Sequence, residues 1–166
     1  MRILLIFCLS LLPVAVTWSE TVNIGDTAPD FSLPDKDGNT LNYYTDSDKR
    51  ASIVLFWASS CPYCATLMPH LEVVYRKYRS KGLRFYAVDA FEDGKLDPLE
   101  FFTNKAYTYT LLLNGDDVAK QYGVRRPPGV YVMDKDKKVI YKRPAGVNEI
   151  IVKQNIDLKL KQILGE

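Results

Sequence analysis

Two cysteines separated by two residues are the side chains best suited to chemistry in this sequence. Cys61 and Cys64 lie in the segment FWASSCPYCATLMPH, which spans residues 56–70. Sulfur atoms at this spacing can form a redox pair, half of a metal site or a structural disulfide. A disulfide between them would close a very short loop, which constrains the unfolded chain only weakly. A purely structural disulfide is therefore the least favoured of the three.

The residues around the pair predict that it lies where a strand ends and a helix begins. Residues 53–57 form a continuous run of β-branched, aliphatic and aromatic residues, as in a strand that is buried on both faces. From Pro62 the apolar residues follow a helical period, which we expect to end before Gly82. Proline suits the first helical position, because the N–H that it lacks has no partner there in any case.

This position favours a reactive thiolate at Cys61. As the cap of the helix, its sulfur would face free backbone N–H groups and the positive end of the helix dipole. Cysteines in such settings have pKa values of roughly 3.5–7.5, and the thiolate is the form that attacks disulfides. We therefore predict that Cys61 is the nucleophile. Cys64 lies one turn further on and faces the core, which suits a resolving cysteine that releases the substrate.

The charges and the histidine content argue against several other functions. The chain has 22 basic and 20 acidic residues and a net charge of +2. These charges are spread along the sequence, so there is no electrostatic case for binding nucleic acid or a membrane surface. The only histidine, His70, follows Cys64 by six residues, which places it off the cysteine face of an ideal helix. We expect no metal, nucleotide or organic cofactor.

The N-terminal segment has the pattern of a secretory signal peptide. A basic start precedes an almost unbroken apolar run over residues 3–16, and small residues mark a cleavage site after Ser19. We predict a signal peptide over residues 1–19 and one domain over residues 20–166. The alternative is an uncleaved anchor, but the apolar run is shorter than the ~20 residues of a bilayer span. Cys8 lies in this segment, so the exported chain would keep two cysteines.

The rest of the sequence predicts an α/β domain with helices packed on a central mixed sheet. A strand over residues 53–57, a long helix and a strand over residues 83–88 form a βαβ unit, whose strands are parallel. Turn residues at 35–39 join two short N-terminal strands, and the polar residues 45–52 predict a loop. Further segments predict helices over 98–105, 116–122 and 152–163, a strand over 109–113 and a hairpin over 130–142.

The motifs of this chain resemble the TlpA/ResA/DsbE group of secreted thioredoxin-like thiol–disulfide oxidoreductases. The matching segments are FWASSCPYC followed by MPHL, APDFSL with its Asp-Gly turn, YGVRRPP, and the strand at 130–134. They occur in the expected order over residues 24–164. The resemblance implies a thioredoxin fold with an added N-terminal β-hairpin.

The resemblance also implies which residues form the site. Cys61 and Cys64 correspond to the catalytic pair, and Pro128 corresponds to the cis-proline opposite them. The residues expected to help dock the substrate, besides Pro128, are Trp57, Pro62, Tyr63 and Pro127.

From this resemblance and the predicted signal peptide we predict a monomeric reductant in the bacterial periplasm. Its partners would be disulfide-containing or dithiol proteins of the envelope, and a membrane or periplasmic dithiol protein would return electrons to it. Three alternatives stay open: an oxidant that forms disulfides, a Cu(I)-binding module that uses the two soft thiolates, and a peroxiredoxin-like peroxidase. The peroxidase is disfavoured, because Ala58 stands where that family has a threonine three residues before its reactive cysteine.

Two leucines replace the proton acceptors that relatives place near the second cysteine. Leu67 stands where the group usually has a glutamate, and Leu55 where many thioredoxins have a buried aspartate. A buried thiol without a base has a raised pKa and attacks slowly. We predict slow release of the mixed disulfide, unless water or a carboxylate such as Asp89 accepts the proton. A glutamate at position 67 should then speed turnover.

Pro127 is a further departure from the general pattern. In thioredoxin-like proteins the residue before the cis-proline pairs its backbone with an extended segment of the substrate, and proline has no N–H to donate. We hypothesise that peptide binding is weaker or more selective here. The alternative is that Pro127 only stiffens the loop.

Overall fold

The computed structural model of this chain describes residues 21–165. The predicted signal peptide, with Cys8, lies outside the described residues, so that segment and the domain boundary after it stay predictions. Within residues 21–165 no helix has the length and apolar character needed to cross a membrane.

Seven strands and five helices make up the described chain. The strands are β1 (Ser32–Pro34), β2 (Thr40–Asn42), β3 (Ser52–Trp57), β4 (Arg84–Asp89), β5 (Thr110–Leu112), β6 (Gly129–Met133) and β7 (Val139–Lys142). The helices are α1 (Tyr43–Asp46), α2 (Pro62–Tyr78), α3 (Pro98–Asn104), α4 (Asp116–Gln121) and α5 (Glu149–Leu164), and a 3-10 turn (Arg79–Lys81) follows α2.

A five-stranded mixed sheet in the order β5-β4-β3-β6-β7 forms the centre of the fold. β3, β4 and β5 are parallel, whereas β6 runs antiparallel to β3 and β7 antiparallel to β6. β1 and β2 form a separate antiparallel hairpin. The predicted fold class, a central mixed sheet flanked by helices with an added N-terminal hairpin, is confirmed.

β3 is buried on both faces, as its apolar run predicts, and therefore separates two layers of core. Ile53, Leu55 and Trp57 pack with side chains of α2, α3 and α5. Val54 and Phe56 point the other way and pack with the N-terminal segment and α4. All six residues of β3 are buried, so the strand fixes the start of the loop that leads to Cys61.

The segment after β2 differs from the prediction. Residues 45–52 were expected to form a loop, but α1 covers its first residues and β3 begins at Ser52. The Asn42 side chain caps α1 by accepting a hydrogen bond from the Thr45 N–H at 2.9 Å. The Tyr43 ring is buried and stacks on Phe31, with ring centroids 4.8 Å apart. A cap and one long-range aromatic contact thus stabilise a helical turn that polar composition alone does not predict.

The last helix spans Glu149–Leu164 and carries the four residues of the predicted apolar stripe. Asn148 caps it, since its side-chain oxygen accepts a hydrogen bond from the Ile150 N–H at 2.8 Å. Three residues of this stripe, Val152, Ile156 and Leu160, are buried, whereas the fourth, Ile163, is 40% exposed near the end of the helix.

Leu160 and Leu158 provide a matched test of how α5 packs. Leu160 is fully buried, whereas Leu158 is 54% exposed on the other side of the same helix. Leu160→Ala should lower the free energy of unfolding by about 2–5 kcal/mol, because it removes core contacts and leaves a cavity. Leu158→Ala should change it by less than about 0.5 kcal/mol. Urea unfolding of the reduced protein measures both, and equal losses would contradict this packing.

Candidate active site

Cys61 caps the N-terminus of α2, and Cys64 lies in its first turn. The Cys61 backbone is extended (φ −84°, ψ 109°), and its sulfur accepts a hydrogen bond from the Cys64 N–H at 3.2 Å. Pro62 occupies the start of the helix, as predicted. Cys61 is half-buried and Cys64 is fully buried, and both are free thiols. The predicted positions of the two sulfurs are therefore confirmed.

The two cysteines differ in their affinity for a proton. The hydrogen bond from the Cys64 thiol, the nearby backbone N–H groups and the Arg143 guanidinium lower the pKa of Cys61 to about 7, against the opposing effect of burial. For Cys64 the same interaction with Cys61, together with burial, raises the pKa far above its ordinary value. Cys61 is thus the sulfur that can be a thiolate while Cys64 keeps its proton.

Arg143 is a site residue that the sequence analysis missed. Its side chain lies directly after β7 and donates hydrogen bonds to the carbonyl oxygens of Pro128 at 3.3 Å and Val147 at 3.2 Å. Its charge lowers the pKa of both cysteines. Nothing local distinguishes it among 22 basic residues, because its role comes from contacts that are distant in sequence.

The loop before β6 carries the predicted cis-proline. The peptide bond between Pro127 and Pro128 is cis. Gly129 follows and pairs with Phe56 of β3, which brings this loop next to the strand that leads to the cysteines. A Cβ atom at Gly129 would lie 2.8 Å from the methyl groups of Val124, so this close approach requires glycine.

A groove of about 790 Å³ separates the first turns of α2 from the cis-proline loop. It is lined by Tyr63, Thr66 and Leu67 of α2, by residues 125–128, and by Arg143 and residues 145–149. Of the predicted docking residues, Tyr63, Pro127 and Pro128 line this groove, and Tyr63 is 73% exposed. Pro62 is exposed beside Cys61.

Trp57 does not fit its predicted role in docking. Its side chain is fully buried, and its ring packs on Phe101 and Phe102 at centroid distances of 5.5 Å and 5.9 Å. The alternation of β3 turns this side chain into the layer under α2 and α3, away from solvent. Trp57 therefore supports the site from within the core and cannot contact a docked segment.

The surroundings of Cys64 are apolar. Leu55 and Leu67, which replace the carboxylates of relatives, lie in the same buried cluster as Cys64. Asp89 is buried at the end of β4, where burial and the carboxylates of Glu92 and Asp116 raise its pKa to about 8. The interactions that shift the pKa of Cys64 come from Cys61, Ala58 and Arg143. The role of Asp89 as proton acceptor for Cys64 stays a prediction.

Glu92 holds the loop that leads into the site, and sequence reasoning also missed it. One of its carboxylate oxygens accepts a hydrogen bond from the Ser59 N–H and the other from the Ser59 hydroxyl, both at 2.5 Å. Ser59 precedes Cys61 by two residues, so this bidentate contact fixes the loop between β3 and α2.

Within residues 21–165 no group of three or more His, Cys, Asp and Glu side chains could hold a metal ion.

A thioredoxin-like fold with a half-exposed and a buried cysteine at a helix N-terminus defines the class of dithiol oxidoreductases. Comparison with known proteins agrees with this class and refines it. The AhpC/TSA family profile matches residues 24–142, and the chain belongs to this family.

Relatives of this chain include thiol–disulfide oxidoreductases called ResA. The one from Geobacillus thermodenitrificans is 32% identical over 124 residues, which cover 74% of this chain and 70% of the relative. The one from Bacillus thuringiensis subsp. konkukian is 30% identical over 125 residues, covering 75% and 71%. The predicted thiol–disulfide oxidoreductase activity is confirmed by these relatives.

Solved structures show the same fold. A structure from Chlorobium tepidum, described as a candidate thiol:disulfide interchange protein DsbE, is 26% identical and has a TM-score of 0.68 over 83% of this chain and 99% of its own. The thioredoxin domain of an oxidoreductase from Bacteroides vulgatus, 19% identical, has a TM-score of 0.71 over 87% and 99%. At that identity the second match supports the fold alone.

The titration of Cys61 tests the electrostatics of the site. In the reduced protein, the rate of alkylation by iodoacetamide should rise with pH with a midpoint near 7, since only the thiolate reacts. Arg143→Met removes a positive charge that stabilises the thiolate, so the midpoint should move up. Arg143→Lys should largely keep it low, and Arg50→Met, at the opposite end of β3, should not change it. Equal upward shifts for the Met and Lys variants would contradict the assignment of this effect to charge.

The missing carboxylate next to Cys64 gives a second test. Leu67 is 2% exposed in the cluster around Cys64, and it borders the groove. Leu67→Glu should speed the release of a mixed disulfide on the order of 10²-fold, the lower range of general-base catalysis. Leu67→Gln has the same shape and a similar burial cost without a base, and should not speed release. Quench-flow analysis of a single turnover gives both rates; equal rates in the two variants would refute the need for a base.

Proposed function

We propose that this chain is a periplasmic reductant that transfers two electrons to disulfides of envelope proteins through Cys61 and Cys64. The observation that carries this proposal is the unequal placement of the two sulfurs. Cys61 can reach a partner from the helix terminus, whereas Cys64 is fully buried beside it. The location rests on the predicted signal peptide over residues 1–19, with an anchor over residues 3–16 as the alternative, and the mature domain would span residues 20–166 as a monomer.

The reaction proceeds through two exchanges. The Cys61 thiolate attacks one sulfur of the client disulfide, a mixed disulfide forms, and the other client sulfur leaves as a thiolate that takes up a proton. Cys64 then gives up its proton and attacks the Cys61 sulfur. The second client sulfur leaves, and a bond between Cys61 and Cys64 forms. The client is reduced by two electrons, and a partner dithiol protein returns them to this chain.

The pKa of Cys61 supports the reducing direction. Thioredoxin, a reductant, has a nucleophilic cysteine with a pKa of about 7, whereas the strong oxidant DsbA has one of about 3.5. A thiolate with a higher pKa is less stable. The reduced form of the protein is then less stable relative to its disulfide form, and it gives up electrons more readily. The pKa of Cys61, about 7, lies with the reductant.

The reduction potential of the Cys61–Cys64 pair tests this direction. We expect a value closer to the roughly −270 mV of thioredoxin than to the roughly −120 mV of DsbA. Equilibration with dithiothreitol or glutathione buffers, followed by quantification of free thiols, measures it. A value near that of DsbA would favour the disulfide-forming oxidant instead.

Insulin reduction tests the copper-binding alternative. Cys61→Ser should abolish insulin reduction. Stoichiometric Cu(I) binding by the unmodified protein, without insulin reduction, would favour the copper-binding module.

Trapping identifies the clients. In Cys64→Ser the second exchange cannot occur, so partners should stay covalently attached to Cys61 when the variant is expressed in the envelope of its host. Mass spectrometry of the adducts names them, and Cys61→Ser/Cys64→Ser is the matched control that should capture none.

A further inference from the structure

We propose that the groove between the first turns of α2 and the cis-proline loop selects client segments that carry an acidic residue next to the disulfide, and that Arg125 and Arg126 make this selection. This inference rests on the proposed function of Cys61 and Cys64, and it adds the chemical class of the substrate. The occupant of the groove is thus an extended peptide with a carboxylate near its cysteine.

The charges that line the groove are the first observation. Its walls carry three guanidinium groups, those of Arg125, Arg126 and Arg143, against one carboxylate, that of Glu149. This is a local excess of two positive charges, as large as the net charge of +2 on the whole chain. Charged walls of one sign raise the local concentration of a ligand of the opposite sign.

The two exposed arginines are available for a ligand. The Arg143 side chain is already held by the carbonyl oxygens of Pro128 and Val147. Arg125 and Arg126 are exposed, and their side chains make no hydrogen bond or ion pair with any other residue in the described part of the chain. By contrast, several surface lysines elsewhere pair with neighbouring carboxylates; these pairs are Lys36–Asp37, Lys95–Asp93, Lys120–Asp117 and Lys135–Asp136.

The backbone of the cis-proline loop explains why side chains would recognise the client. Pro127 and Pro128 both lack an N–H, so this part of the loop offers carbonyl oxygens but no backbone donor to an extended segment. Arginine supplies donors in a planar fork that matches a carboxylate. The donors that the loop backbone lacks can therefore come from the adjacent guanidinium groups.

The groove also limits where the acidic group can lie. Arg126 directly precedes Pro127 in the loop that faces the first turns of α2 across the groove, so the carboxylate should lie close to the client cysteine. Glu149 stands at the start of α5, also lines the groove, and would repel a second acidic group there. The selected segment is therefore acidic on the side of Arg125 and Arg126 only.

Two peptides with an intramolecular disulfide, identical except for Asp or Asn beside one cysteine, test this inference. At low ionic strength the unmodified protein should reduce the Asp peptide with a kcat/KM about fivefold higher, the upper range for an exposed ion pair. The preference should fall as salt shortens the range of the charges. In Arg125→Gln/Arg126→Gln the preference should disappear, so the kcat/KM values for the Asp and Asn peptides should become equal. Arg50→Gln, an exposed arginine distant from the groove, should keep the preference.

A small neutral disulfide separates failure of this inference from failure of the proposed function. Hydroxyethyl disulfide carries no charge, so its reduction by the unmodified protein and by the double arginine variant reports on the Cys61–Cys64 chemistry independently of the charge of the client. If it is reduced but the Asp and Asn peptides react alike, or if the double variant keeps the Asp preference, the selection by Arg125 and Arg126 is refuted and the reductase stands. If neither the neutral disulfide nor the peptides are reduced, the proposed function fails and this inference fails with it.

Discussion

The hydrogen bond between the sulfurs of Cys61 and Cys64 is the interaction on which the site depends. It lowers the pKa of Cys61 and raises that of Cys64, so the proton is held on the buried sulfur. A single contact thus favours the reactive thiolate at Cys61 and keeps Cys64 protonated. The N-terminus of α2 adds backbone donors on the side of Cys61, and the apolar core removes water on the side of Cys64.

The surrounding structure keeps the two sulfurs in this arrangement by anchoring the segments on either side of them. Glu92 holds Ser59 in the loop that enters α2, and Arg143 holds the Pro128 carbonyl in the loop opposite. The first loop leaves the end of β3, and the cis-proline loop leads into the start of β6. These two strands are adjacent in the sheet and largely buried. The sheet therefore fixes the position of the two sulfurs relative to the cis-proline loop, because both are attached to neighbouring strands.

Much of this arrangement could be predicted from the sequence, and the residues that escaped prediction share one property. The apolar run of β3, the helical stripe of α2 and the cap at Cys61 are local patterns, so they were predicted correctly, and the resemblance supplied the cis-proline at Pro128. Arg143 and Glu92 act through partners distant in the sequence, and no local signal marks them. The burial of the Trp57 side chain depends on which helices cover each face of β3, and the sequence of β3 alone does not specify this.

The complete burial of Cys64 has a consequence for how electrons pass through the protein. Since Cys64 is buried and Cys61 is half-buried, in the proposed cycle the client and the protein that restores the dithiol would both react at Cys61. In that cycle the two would not be bound productively at once, so they would react in turn, in a ping-pong order. The proposed donor would then have to fit the same groove as the client, and an excess of client would slow the return of electrons to the two cysteines.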